Sequence, residues 1–252
     1  RKYSVYLRIE YSKDLVNILF NYSLPAFISG IIVAISLWTM RLLITELDNG
    51  YFELGIFSAA SRFQTAINLI GITVGNAILP LMSTEKLQSN RRLSIFNIYI
   101  SWVLGMVPAL PIIAFPEIAG LLFGDSFKSE LFYKVVVLLM LTTVLMIYKQ
   151  GLARIIASKD LMWWSSLSNI LWAMTLLSAT YIMKSEGAFG MSKALLGSYG
   201  VNIIFLLPIL SYKKMIPKNL MFSNNIAIIL AVIAIIALTS FIGSSLTSRA
   251  IL

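Results

Sequence analysis

Four cations stand inside otherwise apolar stretches of this chain: Arg41, Arg62, Lys134 and Lys193. A charge within a lipid-spanning segment is costly and usually faces the interior of a bundle or a watery cavity. The exception is a long side chain near a helix end, which can snorkel to the interface. In a hydrated cavity such groups bind anions, and guanidinium matches phosphate oxygens especially well. The sequence contains no histidine and no cysteine, so the usual zinc or haem ligand sets and a structural disulfide are excluded. A serine or aspartate nucleophile would have only lysine or a carboxylate as its base. Glu46, Asp48, Glu53 and Glu117 could in principle form an acid/base pair, but nothing in their spacing marks them. The expected chemistry is therefore binding rather than catalysis, with no cofactor.

Depth separates the four cations. Lys134 lies three or four residues inside its stretch and one turn from Glu130, a spacing that suits a snorkelling lysine with an i,i+4 partner. Lys193 lies about five residues in, where snorkelling and a cavity role are balanced. Arg41 is about one turn from a span end, roughly 6 Å in by helical rise. Arg62 is about eight residues deep, roughly 12 Å, which is hard to reach by snorkelling alone. Ser58, Ser61, Arg62, Thr65, Asn68, Gly75 and Asn76 share a helical sector of about 140° at 100° per residue. Such a stripe suits a cavity wall with Asn68 among its polar contacts, or alternatively a helix–helix seam built from small and polar residues.

The elements that must position these residues are apolar helices. Of the 252 residues 58% are hydrophobic and 12% charged, and the mean hydropathy is +0.85. Soluble domains carry about 25% charged residues. Apolar stretches run over about 17–45, 54–82, 93–115, 131–148 (continuing as helix toward 158), 161–183, 188–212 and 225–242, each close to the roughly 20 residues that cross a bilayer core. The fold class predicted is an all-α, polytopic membrane helical bundle of about seven spans. Residues 1–16 read as a basic loop, 17–212 as a six-helix bundle, and 213–252 as an additional span and tail. The basic opening Arg1-Lys2 leading straight into a span predicts a fragment whose upstream part is missing.

The links between spans alternate in charge. Assigning 1–16 and the links near 86–92, 149–159 and 213–218 to the cytoplasmic side places thirteen basic residues there, Lys149 and Arg154 among them, against three on the other side. Acids run the other way. Tyr148, Trp163, Trp164 and Tyr212 would form an interfacial belt at the inner ends, with Tyr51, Phe52 and Tyr181 at the outer ends. The net charge of +9 is spread link by link, so topology explains it better than nucleic acid, which is not an expected partner. Residues 116–127, PEIAGLLFGDSF, are too few to cross and read as an amphipathic or re-entrant piece closed by a Gly124-Asp125 turn. Pro25, Pro80, Pro108 and Pro111 would bend their spans.

The stretch Leu54-Gly55-Ile56-Phe57-Ser58-Ala59-Ala60-Ser61-Arg62-Phe63, the ending Ala77-Ile78-Leu79-Pro80-Leu81-Met82-Ser83 and the element Leu122-Phe123-Gly124-Asp125-Ser126-Phe127 resemble, in order and spacing, the polysaccharide and O-antigen flippases of the MOP superfamily. The first span, with Pro25 and then Trp38-Thr39-Met40-Arg41, is similar to the start of that family's second bundle. Met40 stands where many members carry an acid, which leaves the Arg41 cation without that partner. The resemblance covers about residues 15–215. It implies the C-terminal bundle of a MATE-like two-bundle carrier plus one extra helix, in the bacterial inner membrane. It also implies alternating-access translocation of undecaprenyl-pyrophosphate-linked oligosaccharide, an O-antigen or capsule/exopolysaccharide repeat unit. The head group would meet Arg62 and Arg41 first, then Lys193, Lys134 and Asn68. Expected partners are the lipid-linked oligosaccharide, membrane lipids, a coupling proton or sodium ion, and a polysaccharide polymerase. The rival readings are a drug/cation antiporter of the same superfamily, which would want an acid deep in a span, and a membrane enzyme of polysaccharide assembly, which would want a large outer loop.

Overall fold

A computed structural model describes residues 13–83 and 91–212, and all regular structure among them is helical. The chain runs through α1 (Lys13–Ile18), α2 (Leu24–Thr45), α3 (Gly50–Ser83), α4 (Arg91–Ala114), α5 (Glu117–Phe123), α6 (Glu130–Ala157), α7 (Met162–Met183) and α8 (Gly187–Tyr212). Five continuous helical runs are long and apolar enough to span a bilayer. The last of them, Met162–Tyr212, is broken at a 3-10 turn over Lys184–Glu186 into the hairpin α7–α8. The protein is thus a multi-pass helical bundle with six long helices among the described residues. The expected seventh span, near 225–242, lies outside them.

One end of the bundle gathers the α2–α3, α4–α6 and α7–α8 links with Glu46, Asp48, Glu117, Asp125 and Glu186; we call it the acidic end. The opposite, basic end carries the start of α1, the α6–α7 link and the ends of α3 and α8. Glu53, in the first turn of α3, accepts the Ala188 N–H at 2.8 Å. Its carboxylate thereby satisfies one of the unpaired amides at the start of α8 and lies where the helix dipole favours a negative charge. This contact ties α3 to α8 at the acidic end.

Pro25 shapes the entry to α2. Lacking an N–H, it cannot bond four residues back, and the preceding turn, Leu19–Ser23, is a π-helix in which the Leu24 N–H reaches the Leu19 carbonyl. The helices run on through Pro80, Pro108 and Pro111, and also through Pro208, which the sequence reading did not single out.

The central helix is α6, which packs against α4, α3 and α8, while α2 lies mainly on α7 and α7 on α8. Its buried residues, among them Phe132, Val135, Val136, Leu139, Val144, Ile147, Leu152 and Ile155, surround the whole helix, the pattern of a helix enclosed on all sides. Polar side chains close the other seams. Ser29 on α2 bonds Ser166 on α7 at 2.9 Å, and Asn202 on α8 donates to the Ser168 carbonyl at 2.6 Å. Short polar contacts of this type let apolar helices choose one register where burial alone could not.

The short segment after α4 forms α5 and a 3-10 turn over Asp125–Phe127. Gly124 joins them at φ 91°, a conformation that side-chain-bearing residues rarely adopt. This agrees with the expected turn at that position.

Candidate functional site

The basic half of α6 carries two cations, Lys149 and Arg154, that the charge alternation counts among the residues of the cytoplasmic side. The expected continuation of this helix toward 158 is what forms, but these two side chains face the bundle interior and not the aqueous link. Helix α6 continues to Ala157, so Lys149 and Arg154 sit within it, Arg154 only 8% exposed. Basic residues near the end of a span mimic loop residues in sequence, and only the packing of α3, α4, α7 and α8 around α6 reveals them as interior. Without this pair the inner links still hold eleven basic residues against three, so the charge alternation stands. Tyr148 needs the same correction: it is buried and stacks on Trp102 with ring centroids 4.7 Å apart. Trp163, Tyr212, Tyr51, Phe52 and Tyr181 are exposed.

Arg154 is held by α4. Its Nε donates to Asn97 Oδ1 at 2.7 Å and its Nη2 to Ser101 Oγ at 2.6 Å. Asn97 in turn donates through Nδ2 to the Gly151 carbonyl at 2.8 Å, and Ser101 donates to the Asn97 carbonyl at 2.7 Å. Asn97 and Ser101 are four residues apart, so they share one face of α4. The third nitrogen, Nη1, lies against Gly75 of α3, where an added Cβ would come within 2.4 Å of it. Gly151 allows the same closeness between α6 and α4, since a Cβ there would lie 2.6 Å from Ser101 Oγ. Glycine and serine at these positions are what bring three helices near enough to hold one guanidinium.

No carboxylate among the described residues pairs with this charge. The three ion pairs among the described residues, Asp125–Lys128, Glu130–Lys134 and Glu186–Lys193, all lie at the acidic end. Neutral acceptors fix the Arg154 head group, and buried charges are normally paired. Arg154 lines a cleft of about 310 Å³ that opens between the π-turn, α3 and the start of α7. Tyr22 borders it on one side, Gly75 and Asn76 on another, Ser165 on a third, with Gln150 and Arg154 forming its floor. The site therefore offers a cation, two amides, a phenol and a hydroxyl to a ligand. The rest of its lining is Ile72, Leu79, Ala153, Ala157 and Met162, so these polar groups stand in a mainly apolar wall.

The sequence-predicted residues divide around this cleft. Asn68 accepts a 2.6 Å bond from Gln150 Nε2 and so positions a cleft residue from the α3 side. The polar stripe on α3 is split: Asn68 and Gly75 turn toward α6, whereas Arg62, Thr65 and Asn76 are exposed. Arg62 makes no hydrogen bond or ion pair with another described residue. It stands twelve residues into the 34-residue helix α3, about a third of the way from the acidic end. The outward face of this helix mixes Thr65, Ala66, Thr73, Asn76 and Ala77 with the exposed apolar side chains Leu69, Ile70 and Ile72, and so is more polar than the outward faces of α2, α4 and α7 without being free of lipid-type residues. Arg41 is exposed near the acidic end of α2. Lys134 pairs with Glu130 at 2.6 Å and Lys193 pairs with Glu186. The structure thus gathers Asn68, Gln150 and Arg154 and leaves Arg41, Lys134 and Lys193 nearer the opposite end.

Lys149 occupies a second position, on the side of α6 facing α7 and α8. Its ammonium donates to Asn169 Oδ1 at 3.0 Å and lies 5.5 Å from the ring centres of both Trp172 and Tyr199. Cation–π contacts of this kind stabilise an ammonium removed from water. Both cations were detectable in sequence only through their setting: the apolar run continues past Tyr148, and small or polar residues (Gly75, Asn97, Ser101, Gly151) recur on the helices that meet there. No protein-family model matches the chain, and neither does any curated protein or solved structure.

Proposed function

We propose that this chain is the carrier bundle of a flippase that moves undecaprenyl-pyrophosphate-linked oligosaccharide across the bacterial inner membrane by alternating access, without enzymatic activity. The observation that carries this reading is the Arg154 guanidinium, buried, fixed by neutral acceptors and lining a cleft that also holds Tyr22, Asn76, Gln150 and Ser165. A mobile anion would supply the charge that the described neighbours of Arg154 do not, and pyrophosphate presents several oxygens to a guanidinium fork. The outward face of α3 adds support. A guanidinium about a third of the way along α3, beside Thr65, Thr73 and Asn76 but also Leu69 and Ile72, is poorly solvated by acyl chains, which favours water reaching that face. Acids among the described residues lie near helix ends and links, so a cation carrier would lack a deep carboxylate there. Charge alternation favours an orientation with the acidic end away from the cytoplasm, so in this reading the cleft opens on the side where a lipid-linked precursor is assembled.

The test is complementation of a strain lacking its lipid-linked-oligosaccharide flippase, combined with binding of undecaprenyl pyrophosphate to the purified protein in nanodiscs. Arg154→Gln and Arg62→Ala should each reduce surface polysaccharide at least tenfold. Arg154→Gln should also abolish preference for the pyrophosphate over undecaprenol. Normal transport in both variants would overturn the proposal, as would tighter binding of a lipophilic cation than of the pyrophosphate.

A further inference from the structure

Helix α5 is too short to span a membrane, yet its outward side is strongly apolar. Leu121 and Leu122 are each 70% exposed, and Ile118 lies beside them. The opposite side is fastened to the bundle. Ala119 and Gly120 are buried, and a Cβ on Gly120 would lie 2.9 Å from the Tyr133 hydroxyl. Phe123 meets Phe63 of α3 at 5.7 Å and Phe132 of α6 at 6.1 Å. Held on both α3 and α6, α5 cannot roll over to hide its leucines. We propose that α5 is an interfacial membrane contact, its Ile118, Leu121 and Leu122 inserted among acyl chains of the leaflet at the acidic end.

Three observations favour lipid over a protein partner. The segment leads directly out of α4, whose own exposed side chains Val103 and Val107 belong to a membrane span, so lipid already adjoins it. A helix of seven residues is about 10 Å long and offers far less than the roughly 1,000 Å² that a stable protein interface buries. Polar groups mark the water side: Asp125 and Lys128 form an ion pair at 2.6 Å, with Asp125 93% exposed. Glu117 lies beside the leucines and Asp125 is paired with Lys128, so the contact draws on acyl-chain burial and gains nothing from an anionic surface.

The absence of native cysteine allows single spin labels to be placed on the full chain without background removal. Labels introduced as Ile118→Cys, Leu121→Cys and Leu122→Cys, in phosphatidylcholine vesicles, should collide severalfold more with oxygen than with a water-soluble nickel chelate. Ser126→Cys should show the reverse. Adding anionic lipid should leave the ratio unchanged. Nickel access at 121 and 122 equal to that at 126 would place the face in water and overturn the proposal. Protection from both reagents would mean a covering protein and overturn it as well. Since 121 and 122 are labelled separately, failure of one variant to fold leaves the other decisive. Neither result depends on what the bundle transports.

Discussion

Replacing Gly75 with alanine tests whether that glycine exists to seat Arg154. The new Cβ would lie 2.4 Å from Nη1 and 3.2 Å from Cζ. Ordinary carbon contacts lie near 3.5 Å, so the guanidinium must retreat by about 1 Å. Its bonds to Asn97 and Ser101, now 2.7 and 2.6 Å, would lengthen past the point at which they count as bonds. Interhelical hydrogen bonds in membrane bundles are worth about 0.6 kcal/mol on average and up to about 1.7, so two of them amount to roughly 1–3 kcal/mol. Against this, alanine in place of a helical glycine gains about 1 kcal/mol of propensity. Gly75→Ala should therefore be neutral to about 2 kcal/mol destabilising in the wild-type background. In an Arg154→Met background nothing remains to displace, and the same substitution should stabilise by about 1 kcal/mol. The four variants form a double-mutant cycle, measurable by reversible unfolding in mixed bicelles. An equal effect of Gly75→Ala in both backgrounds would refute the proposed seat.

Three further outcomes follow from the same geometry. Asn68→Leu removes the acceptor of Gln150 Nε2; it should lower pyrophosphate affinity several-fold while leaving thermal stability within about 1 kcal/mol, as expected for a single interhelical bond in a membrane bundle. Glu53→Ala should cost about 1 kcal/mol by unpairing the Ala188 N–H, with Glu53→Gln intermediate because the amide oxygen still accepts; unfolding curves coincident with wild type for Glu53→Ala would contradict that role. The Lys128 ammonium, by hydrogen bond and then by charge, holds the Asp125 carboxyl below the usual aspartate value. The stabilisation from this fully exposed pair should therefore be present above the normal aspartate range and be lost as pH falls through the lowered value, and Lys128→Gln should move the Asp125 carboxyl resonance midpoint upward in a carbon-detected titration.

The spans were legible because a bilayer imposes a length and an apolarity on any helix crossing it. Helices formed over nearly the expected ranges, and the 116–127 segment took its Gly124 turn without crossing. Ion pairing of Lys134 with Glu130 was readable from i,i+4 spacing. Arg154 was not readable in this way. Its contacts with Asn97 and Ser101 reach back more than fifty residues, and no local pattern encodes such separations. Arg62 shows the complementary case: its depth along α3 was set by counting residues, whereas the outward direction of its side chain was not.

Sequence alone determined how many long apolar helices the described region forms, where they begin and end, and how charge alternates between their links, since each depends on residues adjacent along the chain. Tertiary structure decided which helix is central and which faces turn inward. In an apolar bundle nearly every helical face can meet lipid or protein at similar cost, so hydrophobic pattern gives little direction. That choice was left to close approaches at Gly75 and Gly151 and to a few polar bonds, and those contacts enclosed Arg154.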